Sequence, residues 1–441
     1  MERFDAIVIG SGVGGGATAY ALNSGGKKVA LVENDLMGGT CPNRGCDPKK
    51  VLIASVEALD AVSHLNGLGV ETHSSVNWPE LMAFKRTFTD PFPQSFEQRA
   101  QESGITVIKG TARFKDARCI EVNGHLYEAD VFVVATGQHP RILDIDGKEH
   151  LKTSNDFLDL NEMPSSITFI GAGYIAFELA AIAHAAGSNV TIVHHNDRPL
   201  KGFDESFVQD LVAEYTRKGI RFVFGEDIKS ISKTDEGYLI KGTSYTSKTA
   251  YVVCATGRTP SIADLNLEAA GVSFSPRGIE VDEYLRTSQT TIFACGDVIA
   301  KAVPKLTPTA SFEGKYIGDT ILGKTTAPLS YPPVVSVVFG SPKLAQVGIS
   351  ASVANKELGR YVVEEIDMTS WFTYRRVNDP LAKVRLIHEG GKLVGASVIS
   401  SHADELINYL ALCMDEHLTK EDLSKMILGS PTLASDLFYL L

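Results

Sequence analysis

Cys41 and Cys46 stand in "TCPNRGCDPKK", with Pro42 and Gly45 between them and Lys49 and Lys50 just behind. Two thiols this close can be a structural staple, half of a metal site, or a pair that cycles between dithiol and disulfide. Zinc wants four ligands, and no second Cys or His pair at ligand spacing completes such a site, so no metal is expected. Cys119, Cys254, Cys295 and Cys413 stand singly in apolar surroundings and read as core. In a reducing cytosol a close pair is catalytic or metal-binding before it is structural, which leaves redox chemistry in the lead. The thiolate is the reactive form, and nearby lysines with a helix N-terminus after the pair would favour it. Asp47, next to Cys46, would oppose it.

Such a pair needs an electron source, and the flanking elements supply a place for one. "FDAIVIGSGVGGGATAYALNSGGKKVALVEND" reads as strand, glycine turn, helix and second strand. Gly10, Gly12 and Gly15 fit GxGxxG: one for a tight turn, one for close approach of a pyrophosphate, one for helix–strand packing. Glu33 ends the second strand, where it can accept hydrogen bonds from an adenosine ribose. The pattern returns in "SITFIGAGYIAFELAAIAHAAGSNVTIVHHNDRPLK" with Gly171, Gly173 and Ala176, so two dinucleotides are expected. No acid ends this second unit. His195, Arg198 and Lys201 follow instead and suit a 2′-phosphate, favouring NADPH while leaving NADH possible; a solvated loop is the competing reading. "VFVVATGQHP" and "YVVCATGRTP" look like echoes of one duplicated unit, and "TIFACGDV" places Asp297 at a strand end.

The chain of 441 residues is too long for one core, and 44% apolar with 22% charged residues is ordinary for a globular protein. A net charge of -11 and the lack of a basic block exclude a nucleic-acid partner. "MERFDAIVIG" begins a strand almost at once, leaving no room for a secretory signal, and no apolar run reaches a membrane-spanning length of ~18 residues. A cytoplasmic protein without membrane contact, acting on something small, is expected.

The order GxGxxG with Glu33, "GGTCPNRGCDPKK", "ATG", "GAGYIAFE", "ATGRTP" and "CGD" resembles the pyridine nucleotide-disulfide oxidoreductases, which include glutathione reductase, dihydrolipoamide dehydrogenase and mercuric reductase. The likeness implies an α/β fold of two Rossmann-like domains and a C-terminal α+β dimerisation domain. It implies FAD-binding segments at 1–147 and 263–328, an inserted NAD(P)H domain at 148–262, and a homodimer formed through 329–441. By position, Gly10, Gly12, Gly15 and Glu33 would hold FAD, with Thr40 on the flavin side and Asp297 on the ribityl chain. Ala112, Gly137 and Gly257 would be further cofactor contacts, and Gly171, Gly173 and Ala176 would seat the nicotinamide cofactor. Cys46 would face the flavin and Cys41 the substrate, while Lys49 or Lys50 would pair with Glu178.

One part of the family pattern is missing. The disulfide reductases end in His-Pro-Thr with a Glu five residues after the His, an acid/base pair given across the dimer. Here "GSPTLASDLFYLL" puts Ser430 and Ser435 at those positions. A serine hydroxyl cannot alternate between acid and base near pH 7, which argues against an efficient glutathione reductase. His402 and His417 are weak stand-ins, and Asp436 lies one residue beyond the Glu position. No cysteine pair follows Cys413, which disfavours mercury. Arg375 and Arg376 read as solvated residues of a turn. The leading reading is an enzyme that passes electrons from NADPH through FAD, Cys46 and Cys41 to a small disulfide, metal ion or quinone. A diaphorase or oxidase with accessory cysteines, and a flavin-bound redox sensor, are the alternatives.

Overall fold

A computed structural model describes residues 1–71, 73–357 and 359–441 of the chain. It divides into two units. One is built from Met1–Lys50, Ala83–Arg141 and Gly257–Tyr331, the other from Val51–Met82, Ile142–Thr256 and Pro332–Leu441.

The first unit opens with β1 (Glu2–Ile9), α1 (Val13–Ser24), β2 (Val29–Glu33), α2 (Thr40–Arg44) and α3 (Cys46–His64), whose first turn alone belongs to this unit. With β3 (Thr106–Lys109), β4 (Arg113–Asp116), β5 (Cys119–Val122) and β6 (His125–Val134) the strands form a sheet in the order β3-β2-β1-β6-β5-β4. Strand Ile292–Ala294 joins alongside β6. β3, β2, β1 and β6 run parallel, whereas β5 and β4 turn back antiparallel. Ile7, Val8, Leu31, Val32, Val133 and Val134 are buried, as the near-continuous apolar runs of a parallel sheet covered on both faces should be.

Helix Thr307–Ile321 packs on α1 through glycine. The Thr18 hydroxyl donates to the carbonyls of both Gly14 and Gly314 at 3.0 Å. A Cβ on Gly314 would lie 2.2 Å from the Gly14 oxygen, so no larger residue fits without moving a helix.

The second unit holds a parallel sheet in the order Arg221–Val223, Asn189–Val193, Ser166–Ile170, Tyr251–Cys254. Helix Tyr174–Ala185 packs against it and buries Ala176, Phe177 and Leu179. An antiparallel sheet follows in the order Ser336–Val338, Lys343–Gly348, Lys392–Ser400, Lys383–Glu389, Tyr361–Asp367. Helix Ala403–Asp415 lies on that sheet and buries Leu406, Ile407 and Leu410. The chain is thus an α/β protein with two Rossmann-like sheets and a C-terminal α+β region. Among the described residues, no helix is long and apolar enough to cross a membrane.

Candidate active site

The two glycine turns have the same geometry. Gly10 has φ +102° and donates its amide to Val32 O at 2.8 Å; Gly171 has φ +106° and donates to Val193 O at 2.8 Å. A Cβ on either would lie 2.4 Å from the carbonyl of Ala135 or Ala255 respectively, so both positions demand glycine. Those alanines begin the two "ATG" stretches, which places Gly137 and Gly257 beside the turns. A Cβ on Gly15 would meet Gly10 O at 1.8 Å, the close helix–strand approach expected of the third position. At Gly12 and Gly173 it would meet nothing within 4 Å. Each turn therefore leaves open space at the helix N-terminus where its backbone N–H groups point, a setting that fits a pyrophosphate. Ala176 is fully buried and packs helix against sheet.

The ends of the second strands differ. Glu33 accepts at Oε2 from the Ser11 amide (2.9 Å) and hydroxyl (2.6 Å), and at Oε1 from the amides of Asn34 (2.9 Å) and Asp35 (3.0 Å). In the second unit His194 and His195 stand edge to face with ring centroids 4.5 Å apart. Burial pulls His194 below the usual histidine range, with the neighbouring His195 adding to the effect. His195 and Lys201 are exposed, and Arg198 lies 3.6 Å from Glu205. All three basic residues follow the strand end within one loop.

Asp297 sits in the turn after strand Ile292–Ala294. Burial raises its pKa, and its carboxylate makes no hydrogen bond to the described residues. Lys305 donates to the carbonyls of Asp297 (2.7 Å) and Arg277 (3.3 Å), and burial lowers its pKa. Beneath the turn, fully buried Glu313 accepts from the Gly296 amide (2.7 Å), Lys301 (2.5 Å) and the Tyr331 hydroxyl (2.7 Å). A buried carboxylate needs partners of this kind, and together they fix the loop carrying Asp297. The unpartnered acid fits the hydroxyls of a ribityl chain. Ala112 lies in the core of this unit, and Thr40 is exposed at the start of α2.

Gly38 and Gly39 have φ +90° and +69°, and a Cβ on Gly39 would fall 2.7 Å from Gly12 Cα. The segment leading into the cysteines thus lies directly against the first glycine turn. Gly45 ends α2 in close contact with its first turn: an added Cβ would sit 2.9 Å from Thr40 O and 3.2 Å from Cys41 Cα. Cys46 opens α3, where helix N–H groups favour negative charge. Its Sγ lies 3.2 Å from the Thr307 hydroxyl. Donation from the Cys41 thiol draws Cys46 down to about 6 against the cost of burial, and Thr307, Lys49 and Lys50 add to this in that order. Cys41 is pushed up because it is the donor in that contact and because it is buried. Burial also raises Asp47, with Lys50 opposing, which weakens the objection that an acid follows Cys46. The arrangement favours a thiolate on Cys46 over one on Cys41.

Glu178 is buried on helix Tyr174–Ala185 and accepts from the Phe339 amide at 2.9 Å. At the C-terminus, Ser430 is exposed, and Thr432 and Ser435 cap helix Leu433–Leu440. Asp436 points the other way: it is buried, its Oδ2 lacks a partner, and burial raises its pKa. His402 holds the N-cap position of helix Ala403–Asp415, and His417 is exposed with φ +54° just past that helix. Arg375 and Arg376 are exposed beside buried Tyr374.

Thr307, Lys305 and Glu313 escaped the sequence reading. Thr307 was within reach: "LTPTA" places Thr-Pro at the start of an apolar periodic stretch, a helix N-terminal signature.

Known proteins match this chain along most of its length. A family model described as pyridine nucleotide-disulphide oxidoreductase matches residues 4–314, and the dimerisation domain of the same family matches residues 334–438. The chain is 32% identical to a glutathione reductase of Burkholderia cepacia, over 98% of this chain and 97% of that protein. It is 29% identical to a dihydrolipoyl dehydrogenase of Geobacillus stearothermophilus, over 97% and 93%. A mercuric reductase of Staphylococcus aureus is 30% identical, over 98% of this chain and 81% of its own.

Proposed function

The chain belongs to the pyridine nucleotide-disulphide oxidoreductases, and from that membership we propose that it carries electrons from NADPH to Cys41 and Cys46 and on to a small oxidised acceptor. The family is one of FAD- and NAD(P)H-dependent oxidoreductases that dimerise through the C-terminal domain. A bound FAD supplies the two-electron exchange between a nicotinamide and a disulfide. Gly10, Gly12, Gly15, Glu33 and Asp297 would hold it, with Thr40, Ala112, Gly137 and Gly257 as further contacts. Gly171, Gly173 and Ala176 would seat the nicotinamide cofactor. His195, Arg198 and Lys201 would meet a 2′-phosphate, the basis for preferring NADPH to NADH.

The observation that carries this reading is the placement of the pair: Cys41 lies in α2, and Cys46 opens α3 with its Sγ 3.2 Å from the Thr307 hydroxyl. By the family likeness Cys41 would be the partner that meets the acceptor. Ser430 and Ser435 supply no acid or base, so the acceptor is one that needs little proton help on leaving: a disulfide with an acidic leaving thiol, a metal ion or a quinone. The same loss argues against efficient turnover of glutathione disulfide. Cytoplasmic residence agrees with a dithiol that has to be kept reduced.

Anaerobic titration with NADPH, and separately NADH, tests the relay. Uptake of two electrons before the flavin bleaches, with two new thiols and a long-wavelength absorbance, is expected. Immediate bleaching with the cysteines unchanged would replace this reading with a diaphorase or oxidase.

A further inference from the structure

The loop that follows strand Asn189–Val193 is anchored at two places, and the second anchor comes from the C-terminal sheet. Leu200 is buried, and its amide donates at 2.9 Å to the carbonyl of Ala172, which stands between Gly171 and Gly173. Its φ of +46° lies in the left-handed region, which a leucine keeps only where its surroundings hold it there. Phe203 closes the turn by donating its amide to Leu200 O at 2.8 Å. Lys201 and Gly202 therefore stand at the tip of a tight turn tied to the backbone of the second glycine turn. Two side chains of the C-terminal sheet grip the far side. Gln346, on strand Lys343–Gly348, donates from Nε2 to Gly202 O at 2.6 Å. Arg385, on strand Lys383–Glu389, donates from Nη1 to Asp204 Oδ2, and from Nη2 to Glu365 and to the Ser206 hydroxyl, the last at 3.0 Å. Asp204 uses its other oxygen to cap helix Glu205–Lys218, accepting from the amides of Ser206 and Phe207 at 3.2 and 3.4 Å. The side chains of Asp204 and Arg385 are both largely out of solvent, where a charge-assisted hydrogen bond is strong.

We propose that Arg385 and Gln346 are positioning residues for cofactor choice: they hold the turn at 200–204 against the second glycine turn and thereby keep Lys201 where it meets the 2′-phosphate of NADPH. Their hydrogen bonds go to the Gly202 carbonyl and to Asp204, so they act through the loop. With either tie cut, the turn loses one of its fixed points, and the long side chain of Lys201 spreads over more positions. A 2′-phosphate contact depends on that placement. The pyrophosphate contact, made by the glycine turn, does not. Loss of the grip therefore weakens NADPH and spares NADH, which separates this role from plain scaffolding. Preference between the two nicotinamide cofactors is then set in part by strands of the region matched as the dimerisation domain, which lies outside the nucleotide fold itself. The assignment rests on the reading, proposed above, of this loop as a 2′-phosphate site.

The test uses two probes that differ by the 2′-phosphate alone, adenosine 2′,5′-bisphosphate and adenosine 5′-monophosphate, titrated by calorimetry into the FAD-loaded enzyme. Arg385→Met and Gln346→Leu should each raise the Kd of the bisphosphate by about three- to thirtyfold, the range for residues that act on a site without touching its ligand, and leave that of the monophosphate within about twofold. Equal weakening of both probes overturns the proposal, since the two side chains would then be scaffolding only; so does no change in either. If Arg385→Met fails to fold, Gln346→Leu, on a different strand, decides by the same comparison. Lys201→Ala reports on the phosphate reading itself: no selective loss of the bisphosphate there defeats that reading and the positioning role with it, whereas selective loss there with both affinities unchanged in Arg385→Met and Gln346→Leu defeats only the positioning role.

Discussion

The amide of Thr432 donates to the Ser435 hydroxyl at 3.0 Å, and the amide of Ser435 donates back to the Thr432 hydroxyl at 3.2 Å. This capping box starts helix Leu433–Leu440 with the residue that stands where the disulfide reductases of the family carry a glutamate. Glutamate is itself the favoured partner at the third helical position of such a box. The backbone that would present an acid/base pair is therefore kept.

Ser430→His with Ser435→Glu should accordingly fold as well as the parent and gain turnover of glutathione disulfide. General acid–base help is worth about 100- to 10,000-fold when complete, so a gain of at least about tenfold is expected from this double variant. Steady-state rates with NADPH check it. No gain would mean that the acceptor cavity, and not the acid, excludes this substrate.

The cofactor turns allow a sharper separation. Gly12→Ala and Gly173→Ala place a methyl in open space with an ordinary φ, so melting of the cofactor-free protein should be unchanged. Gly12→Ala should lose FAD on dilution, while Gly173→Ala should keep it and raise the KM for NADPH by about tenfold or more, the effect of a methyl intruding on a phosphate contact. Gly15→Ala, 1.8 Å from a carbonyl, should instead fail to fold. Flavin absorbance after gel filtration distinguishes the three.

Thiolate absorbance of the reduced protein should rise with pH around a midpoint of about 6 and account for one sulfur. The signal is present above that midpoint and lost below it, because the depressed group is the one that deprotonates early. Cys41 should stay protonated beyond the ordinary thiol range. Lys49→Met should move the first midpoint upward; an unmoved midpoint would remove that lysine from the electrostatics of Cys46.

Glu313→Gln should destabilise the protein by about 3–5 kcal/mol, the usual cost of stranding one charge of a buried pair, since Lys301 is almost as buried as its partner. Urea unfolding measures it. Loosened FAD retention should accompany the loss, because the same carboxylate holds the Gly296 amide behind Asp297.

The sequence disclosed those parts of the site where backbone geometry dictates residue type. Gly10 and Gly171 have to be glycine because a Cβ would strike a carbonyl, and such constraints are visible as spacing. The missing acid/base pair was equally visible, as two serines in a recognisable frame. Thr307 was legible as a helix start but not as a neighbour of Cys46, because that contact is made across 261 residues. Glu313 was hidden for a similar reason: an acid within a helix looks solvated until its three partners converge. The loop after Val193 stayed ambiguous because a basic side chain looks the same in sequence whether it awaits a phosphate or, like Arg198, approaches Glu205.

The close approach of α1 to helix Thr307–Ile321 also acts as a fulcrum. Gly14 and Gly314 pin the second helix at a point seven residues beyond Thr307, a lever of about 10 Å at the rise of an α-helix. A tilt of roughly 5° about that point would displace the Thr307 hydroxyl by about 1 Å, enough to part it from sulfur. Reactivity at Cys46 is in this way geared to packing far from it, and a methyl group added at Gly314 would register as a change in thiol chemistry before it registered as a change in fold.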